Sequence, residues 1–338
     1  MFEAKQTLGC MRCRRPLRLT RLPWALSVLT VGLLAAGQSQ ATEGALGRPI
    51  TGMQITPYAG VIPPTPGMQW SFNYIYYDGQ ISASRPAPIA GQLGLGLEAE
   101  ASLSMLTGVY IWPTKNPRWN FASMASLPYI DLGTQVNLQV GPLQRRVDQN
   151  TGNLYDFYFA PVLASFHIDQ VRHLSFGVYV FAPTGNYDPN RIANAGLNVW
   201  TYSPTFAYTQ LMQKGTLEFS VQAATDWYSK NKDTNYENGV VFRSEALLIK
   251  RTPSGWGFGG VVGWIEQLED DKGPLADRLN GFKGRSLGAG PVVTYSKKWK
   301  GGEHLDLSFR YVSEFSVKNR FEGDPLSLSV GLGFSFLL

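Results

Sequence analysis

The chain has 338 residues, of which 44% are hydrophobic, 13% aromatic and only 16% charged, with 36 glycines and 21 prolines. This aromatic content excludes a disordered chain, because disordered segments are poor in aromatic residues and rich in charge. After residue 41 no apolar run approaches the roughly 18 residues that a membrane-spanning helix needs, which excludes a helical membrane protein. The net charge of +5 would suggest nucleic acid as a partner, but its distribution along the chain argues against this.

Residues 1–41 have the organisation of a secretory signal peptide. A basic start is followed by an apolar stretch at residues 22–36 and by Ser39-Gln40-Ala41, a small-residue cleavage pattern. Six basic residues and one acidic residue lie in this part, so removing it leaves 24 of each and a net charge of zero. No nucleic-acid partner is therefore predicted. Both cysteines, Cys10 and Cys13, lie in the predicted signal, so the exported chain has no disulfide to form.

Residues 42–67 are predicted to be irregular. Five prolines interrupt this segment, and proline cannot donate a hydrogen bond to a β-ladder. Composition leaves two alternatives open: the segment hangs free in the periplasm, or it enters the domain that follows as a plug.

Residues 68–338 alternate apolar and polar side chains with a period of two, which is typical of β-strands. In the clearest stretch Leu305, Leu307 and Phe309 share one face, and Ser308 and Arg310 share the other. About twelve such segments follow one another, and most are much longer than the roughly 5–6 residues of soluble strands. The predicted strands are 68–79, 94–112, 119–141, 153–168, 171–182, 197–211, 215–229, 239–251, 256–269, 285–298, 303–317 and 325–338.

Short and long connections between these segments strictly interleave. Outer-membrane barrels show this arrangement, with short turns on the periplasmic side and longer loops outside. Tryptophans near the short connections, such as Trp112 and Trp119, suit a membrane interface. The sequence therefore predicts an all-β fold, a transmembrane antiparallel β-barrel of about twelve strands spanning residues 68–338, in the outer membrane of a Gram-negative bacterium.

Several loop motifs resemble a known family. The densest match is Pro183-Thr184-Gly185-Asn186-Tyr187-Asp188-Pro189, and residues 60–67, 193–200 and 231–236 match as well. They resemble the outer-membrane family named for the MetA pathway of phenol degradation, whose members are regarded as transporters. The resemblance covers nearly the whole exported chain. One departure is the last residue, Leu338, because barrels of this kind usually end in phenylalanine.

The resemblance implies passive uptake of small hydrophobic or aromatic compounds. Expected partners are such a solute, outer-membrane lipid and lipopolysaccharide, and the outer-membrane assembly machinery. The matching motifs point to these loop residues: Pro183, Thr184, Gly185, Tyr187, Asp188, Asn194, Trp200, Asp233 and Tyr236.

Charged residues within the predicted strands are expected to face the lumen. A basic side chain facing lipid at mid-membrane costs about 2–4 kcal/mol, and an acidic one somewhat less. The candidate selectivity residues are Glu98, Glu100, Glu218, Asp226, Arg243, Glu245, Asp306, Arg310 and Glu314. They form either a charged constriction that selects solutes or cross-strand ion pairs that hold the shape of the barrel.

Two other functions fit parts of the sequence. His173-Leu174-Ser175 is similar to the His-x-Ser arrangement of outer-membrane lipid-A deacylases, so a lipid-modifying hydrolase is one alternative. A structural or adhesive barrel without transport is the other. The sequence shows no His, Cys and Asp cluster with metal-ligand spacing, and we predict no metal, no cofactor and no catalytic residue.

Overall fold

The computed structural model describes residues 47–81, 86–89, 92–140, 143–279 and 281–335. The predicted signal peptide and the final residue, Leu338, lie outside these residues. The described elements include one short helix, α1 (Pro274–Arg278). None of the helices in these ranges has the length and apolar character required to span a membrane.

The strands in the described residues are β1 (Gly67–Gln80), β2 (Pro86–Ile89), β3 (Gln92–Ile111), β4 (Trp119–Val140), β5 (Leu143–Leu154), β6 (Tyr158–His167), β7 (Arg172–Phe181), β8 (Thr201–Met212), β9 (Leu217–Tyr228), β10 (Val241–Arg251), β11 (Trp256–Gln267), β12 (Arg285–Lys298), β13 (His304–Tyr311), β14 (Ser313–Lys318), β15 (Glu322–Gly323) and β16 (Leu326–Ser335).

Antiparallel pairing closes these strands into a barrel. β1 pairs with β3 from Gly67 to Gln80 on one side, and with β16 from Gly67 to Tyr76 on the other. From β3 the wall continues through β4 and β6 to β13 and returns to β16, with β14 prolonging the wall beside β12. Among the described residues, twelve strands make up this wall: β1, β3, β4, β6 to β13 and β16. The prediction of an all-β antiparallel barrel of about twelve strands is confirmed.

Side chains alternate between the lumen and the outer face of the wall. In β10, Leu247 and Ile249 are fully buried, whereas Leu248 between them is 49% exposed. On β13, Phe309 is 43% exposed and Arg310 only 4%. Trp70, Phe72, Leu106, Leu127, Phe206, Val262 and Leu328 are further exposed apolar side chains of the outer face. Such an outward apolar band meets the requirement of a surrounding lipid phase.

The connections differ in length at the two ends of the barrel. Residues 112–118, 168–171, 213–216, 252–255 and 299–303 connect strands at one end, named here the short-turn end. Residues 182–200, 229–240, 268–284 and 319–325 make longer connections at the other, the long-loop end. In outer-membrane barrels the short turns face the periplasm.

One predicted loop is a strand instead. Residues 142–152 were predicted as a long connection, but β5 pairs with the upper half of β4, from Tyr129 with Leu154 to Val140 with Leu143. Side chains from Arg145 to Leu154 alternate only between exposed and half-buried. Because no side chain of β5 from Arg145 to Leu154 is fully buried, its sequence lacks the apolar alternation that identifies the other strands.

Candidate functional site: the lumen of the barrel

Residues 47–66, named here the N-terminal segment, lie inside the barrel. Ile55 is fully buried against inward side chains of β10 to β12 and against Val312. Ile50 packs with residues of the long loops, and Ile62 packs against Ile111 at the short-turn end. The segment therefore runs along the lumen from the long-loop end to the short-turn end, where β1 begins.

The irregular backbone of the N-terminal segment needs hydrogen-bond partners. Non-helical backbone at membrane depth is tolerated only where protein or water satisfies its polar groups. Prolines occupy five of the twenty positions: Pro49, Pro57, Pro63, Pro64 and Pro66. Inward side chains of the wall supply the partners, as the following contacts show.

Glu245 on β10 and Arg310 on β13 hold the central turn of the segment. Glu245 Oε2 accepts hydrogen bonds from the backbone N of Gln54 at 3.0 Å and of Ile55 at 2.5 Å. Arg310 Nη1 donates to the carbonyl O of Gly52 at 2.6 Å, and Nη2 donates to that of Ile55 at 2.8 Å. Glu245 is 2% exposed and Arg310 4%. Both charged groups are thus removed from water and bound to the backbone of the segment that they hold.

Two further carboxylates bind the segment in the same way. Glu218 on β9 accepts a hydrogen bond from the backbone N of Tyr58 at 2.5 Å and forms an ion pair with Arg251. The Arg251 guanidinium lies 4.4 Å from the centre of the Tyr58 ring, in a cation–π contact. Glu314 on β14 accepts a hydrogen bond from the hydroxyl of Thr51. Glu218 is fully buried and Glu314 is 8% exposed.

Arg48 fixes the segment at the long-loop end. Its Nη1 lies 2.7 Å from Asp156 Oδ2, and its Nε donates to Thr201 Oγ1 at 3.1 Å. Asp156 also accepts a hydrogen bond from the backbone N of Gly185 at 2.9 Å, which connects the segment to loop 182–200. Burial raises the pKa of the neighbouring Tyr155, so its hydroxyl stays neutral beside this ion pair.

Hydroxyl groups hold the segment at the short-turn end. Gly60 N donates to Thr209 Oγ1 at 2.9 Å, and Gly60 O accepts from Ser165 Oγ at 2.9 Å. Ser175 Oγ donates to the carbonyl O of Ala59 at 2.7 Å. A Cβ atom on Gly60 would lie only 2.7 Å from the backbone N of Thr209, so the wall approaches the segment here as closely as glycine allows.

Most of the predicted lumen charges are found on the lumen face. Those that are buried there are Glu218, Asp226, Arg243, Glu245, Arg310 and Glu314. Asp226 accepts a hydrogen bond from Ser203 at 2.5 Å and lies 3.6 Å from Arg243 Nε, as a cross-strand ion pair. Asp306 shares the face of Arg310 but lies at the short-turn end, where it is exposed and accepts a hydrogen bond from Ser296 at 2.6 Å.

The predicted lumen position of Glu98 and Glu100 is wrong. On β3 the buried, inward side chains of this region are Leu97, Ala99 and Ala101, so both glutamates point outward and are exposed. Glu100 accepts a hydrogen bond from the exposed Tyr76 hydroxyl at 2.9 Å. The argument that charged side chains avoid lipid does not apply to these two residues. β3 is 20 residues long and continues beyond the apolar outer band.

The loop residues of the family motif mainly bind other loop residues. Thr184 Oγ1 accepts from the backbone N of Phe157 at 2.9 Å, beside the half-buried Pro183. Asp188 N donates to Asn194 Oδ1 at 2.8 Å, and the Asn194 amide donates back to the Asp188 carbonyl at 3.1 Å. This reciprocal pair of hydrogen bonds closes a turn at residues 188–194 within loop 182–200.

Other motif residues connect different loops. The hydroxyl of Tyr187 accepts from Asn231 Nδ2 at 2.9 Å, and Asp233 accepts from Asn198 Nδ2 at 2.8 Å. Tyr236, which is 2% exposed, donates its hydroxyl proton to an Asp271 carboxylate oxygen at 2.5 Å. Trp200 differs from the rest, since it is 41% exposed and stacks with Tyr202 on the outer face.

An apolar cluster closes the lumen at the long-loop end. It combines the N-terminal segment, the upper parts of β1, β3 and β4, the short strand β2, and three of the long loops. This outer apolar cluster contains Ile50, Ile75, Tyr77, Ile81, Ala87, Ile89, Leu97, Ala99, Val136, Ile192, Phe282 and Phe321. These side chains make the long-loop end of the lumen apolar.

Sequence reasoning missed several residues that hold the segment. Arg48 was part of a segment judged only by its prolines, and Asp156 was placed inside a predicted strand. Arg320, whose Nη2 donates to the Pro49 carbonyl at 2.7 Å, was not among the candidate site residues. The one available signal was a basic residue, Arg48, within a proline-rich segment, and this signal did not indicate which residue Arg48 would bind.

A closed antiparallel barrel with an apolar outer band and connections sorted by length is an outer-membrane β-barrel. Residues 83–330 match the family named for the MetA pathway of phenol degradation, and the chain therefore belongs to that family. No sequence among the curated proteins matches the chain.

Solved structures support the fold assignment. An outer membrane channel from Pseudomonas putida F1 is similar with a TM-score of 0.64 and 16% identity, over 83% of this chain and 100% of that chain. A FadL homologue from Pseudomonas aeruginosa has a TM-score of 0.42 and 11% identity, over 88% and 100%. The CymD monoaromatic hydrocarbon channel has a TM-score of 0.40 and 10% identity, over 88% and 97%. Scores as low as the last two do not bear on the fold.

Proposed function

We propose that this barrel is a passive channel for small hydrophobic or aromatic compounds, with the N-terminal segment as its internal plug. The observation that carries the proposal is the outer apolar cluster across the long-loop end of the lumen. A polar solute entering there would lose its hydrogen bonds to water without replacement, which costs several kcal/mol. An apolar solute gains free energy on leaving water for the same surroundings.

The plug follows from the way the segment is held. Glu245, Arg310, Glu218 and Glu314 bind it along half of the lumen wall, so these charges are not available to an aqueous pore. A twelve-stranded barrel lies between small barrels filled by side chains and the wide channels of porins. With the segment inside, we expect only a narrow path.

The hydrolase alternative is disfavoured by the contacts of its two candidate residues. His173 Nδ1 lies 2.7 Å from His167 Nδ1, and Ser175 donates its proton to the Ala59 carbonyl. A nucleophilic serine needs a base within hydrogen-bond reach of its own hydroxyl. Both side chains here hold the wall and the N-terminal segment instead, which supports a barrel without enzymatic activity.

An uptake experiment tests the proposal. Vesicles containing lipopolysaccharide, which slows apolar solutes, would be prepared with the intact barrel, with a variant lacking residues 42–66, and without protein. We expect the intact barrel to accelerate entry of toluene and phenol but not of glucose, and the shortened variant to admit all three. Entry of aromatic solutes at the protein-free rate would contradict the transport proposal and favour a structural or adhesive barrel.

Conductance tests the plug separately. In planar bilayers the variant lacking residues 42–66 should show a severalfold larger single-channel conductance than the intact barrel, because half of the lumen wall becomes hydrated. Unchanged conductance in a folded variant would mean that the segment does not limit the pore and that the long loops do.

A further inference from the structure

The N-terminal segment covers one side of the lumen and leaves the other open. On β8 to β11, named here the covered wall, the inward residues Ser203, Ser220 and Leu247 are all fully buried. On β16, β1 and β3, named here the seam wall because β1 and β16 close the barrel, the inward side chains of Ser71 and Thr107 remain partly exposed. Space beside the seam wall is therefore not filled by the segment.

The hydrogen bonds of the segment have the same one-sided distribution. In the described residues they lead to β4, β6 to β10, β12 to β14 and the long loops. The segment reaches β1 and β3 through apolar contacts, by Ile50 and Met53 above and Ile62 below, and Ala195 of loop 182–200 packs with Ala101 of β3. Between these contacts the inward side chains of the seam wall, such as Ser71, Asn73 and Thr107, are only half-buried.

The seam wall is uncharged, unlike the covered wall. Among the described residues, the inward faces of β16, β1 and β3 carry no acidic or basic side chain. Glu218, Asp226, Arg243 and Glu245 all lie on the covered wall. An anion beside the seam wall would find no basic side chain on that wall, and the exposed Asp306 of β13, which pairs with Gly331 of β16, carries a like charge, so this position is unfavourable for an anion.

The two parts of the seam wall differ in chemistry. On β1 and β16, Ser329 Oγ donates to Asn73 Oδ1 at 2.6 Å, and Asn73 Nδ2 donates to Ser71 Oγ at 3.3 Å. On β3, the inward Met105 and Val109 offer an apolar surface. An amide has two N–H donors and a hydroxyl also accepts, so this row retains capacity for a hydroxyl group of a solute.

We propose that the seam wall is the solute path of this channel and that it binds small uncharged aromatic molecules carrying a hydroxyl group. The inference rests on the proposed function and adds the route and the charge selectivity. The ring packs on the thioether and aliphatic side chains of β3, and the hydroxyl bonds to the Ser71–Asn73–Ser329 row. Aromatic carboxylates are excluded by the absence of a counter-charge.

Thiol labelling tests the route without relying on transport. The exported chain has no cysteine of its own once the predicted signal is removed. Single variants Ser71→Cys and Thr107→Cys on the seam wall would be compared with Ser203→Cys and Ser220→Cys on the covered wall. With neutral methyl methanethiosulfonate, we expect the covered-wall cysteines to react about tenfold or more slowly, because the segment shields them. Equal rates in all four folded variants would overturn the route.

Protection from labelling tests the ligand class. Benzyl alcohol should slow the labelling of Ser71→Cys severalfold, whereas benzoate at the same concentration should not. The two molecules share the aromatic ring, but benzoate carries a charged carboxylate in place of the neutral hydroxymethyl group, and this charge opposes its binding. Equal protection by both, or by neither, would overturn the proposed selectivity. If vesicle uptake of aromatic solutes fails while labelling and protection follow expectation, the transport proposal is wrong and the binding path stands. If uptake occurs without a difference between the walls, the route is wrong and transport stands.

Discussion

The covered wall and the seam wall belong to one barrel but differ in what fills the space in front of them. The covered wall carries buried charges, and each of these is matched by backbone of the N-terminal segment or by a neighbouring side chain. The seam wall carries hydroxyls, an amide and apolar side chains, and in the described residues no hydrogen bond joins its middle to the N-terminal segment. Buried charge in this lumen therefore marks where the chain is held rather than where we propose that a solute passes.

This difference changes the meaning of a charged barrel interior. Buried ion pairs contribute little to stability compared with apolar packing, but they strongly oppose the removal of either partner. Glu245 and Arg310 thus make the position of the N-terminal segment specific. The uncharged side chains of the seam wall, on the opposite side of the lumen, leave room for a solute. A solute that displaces water from them does not strip water from a charged group. The wall with fewer strong interactions is the one suited to transport.

The largest effect is expected from breaking an anchor of the covered wall. Glu245→Gln should destabilise the barrel by about 3–5 kcal/mol, because Arg310 and Arg243 lose a buried counter-charge. Urea unfolding in detergent, followed by tryptophan fluorescence, measures the change. Asn73→Ala on the seam wall is the matched control and should cost only about 1 kcal/mol, since its partners there stay hydrated. Similar losses in both variants would mean that the two walls do not differ energetically.

A smaller effect is expected from a charge on the lipid side of the wall. Phe309→Arg should cost about 2–4 kcal/mol and impair assembly, because residue 309 faces lipid. Ser308→Arg, one residue away on the lumen face, should assemble normally and narrow the open side of the lumen. Gel mobility of unheated samples reports folded barrel. If the two variants assemble equally well, the inward and outward faces of β13 have been assigned in the wrong register.

The smallest effect is expected from adding one methyl group to a glycine on either wall. A Cβ on Gly263 of β11 would lie 2.3 Å from the backbone N of Gly52, whereas the nearest atom to a Cβ on Gly331 of β16 is 3.7 Å away. Gly263→Ala should therefore destabilise the barrel by about 1–3 kcal/mol through overpacking. Gly331→Ala should change stability by less than about 1 kcal/mol in either direction. Thermal unfolding of the two variants measures the change in stability. A larger loss of stability for Gly331→Ala than for Gly263→Ala would argue against open space at the seam wall.

The sequence predicts the wall of this barrel far better than its contents. Alternation of period two identifies β13, with Phe309 outward and Arg310 inward, because in a strand the face of a side chain depends only on parity. The same reasoning fails for Glu98 and Glu100, since it assumes lipid along the whole strand. It fails for β5 as well, because a strand without fully buried side chains has no clear apolar period.

The partners of the lumen charges could not be predicted. Glu245 binds the backbone of Gln54, which lies 191 positions away, and Arg310 binds the carbonyl of Gly52 at a separation of 258. The groups bound are peptide N–H and C=O groups, which every residue possesses, so no residue type marks them. Only the path of the irregular segment through the lumen brings them together.

The distribution of anchors along the N-terminal segment has a consequence for ionic current. A shift of the segment by a few ångströms would separate Glu245 and Arg310 from their backbone partners while leaving them dry, which is the costliest arrangement for both groups. Complete exit would let water hydrate every anchor at once. Intermediate positions therefore have the highest free energy, and the current should step between two levels rather than drift, with dwell times that shorten when an anchor is removed.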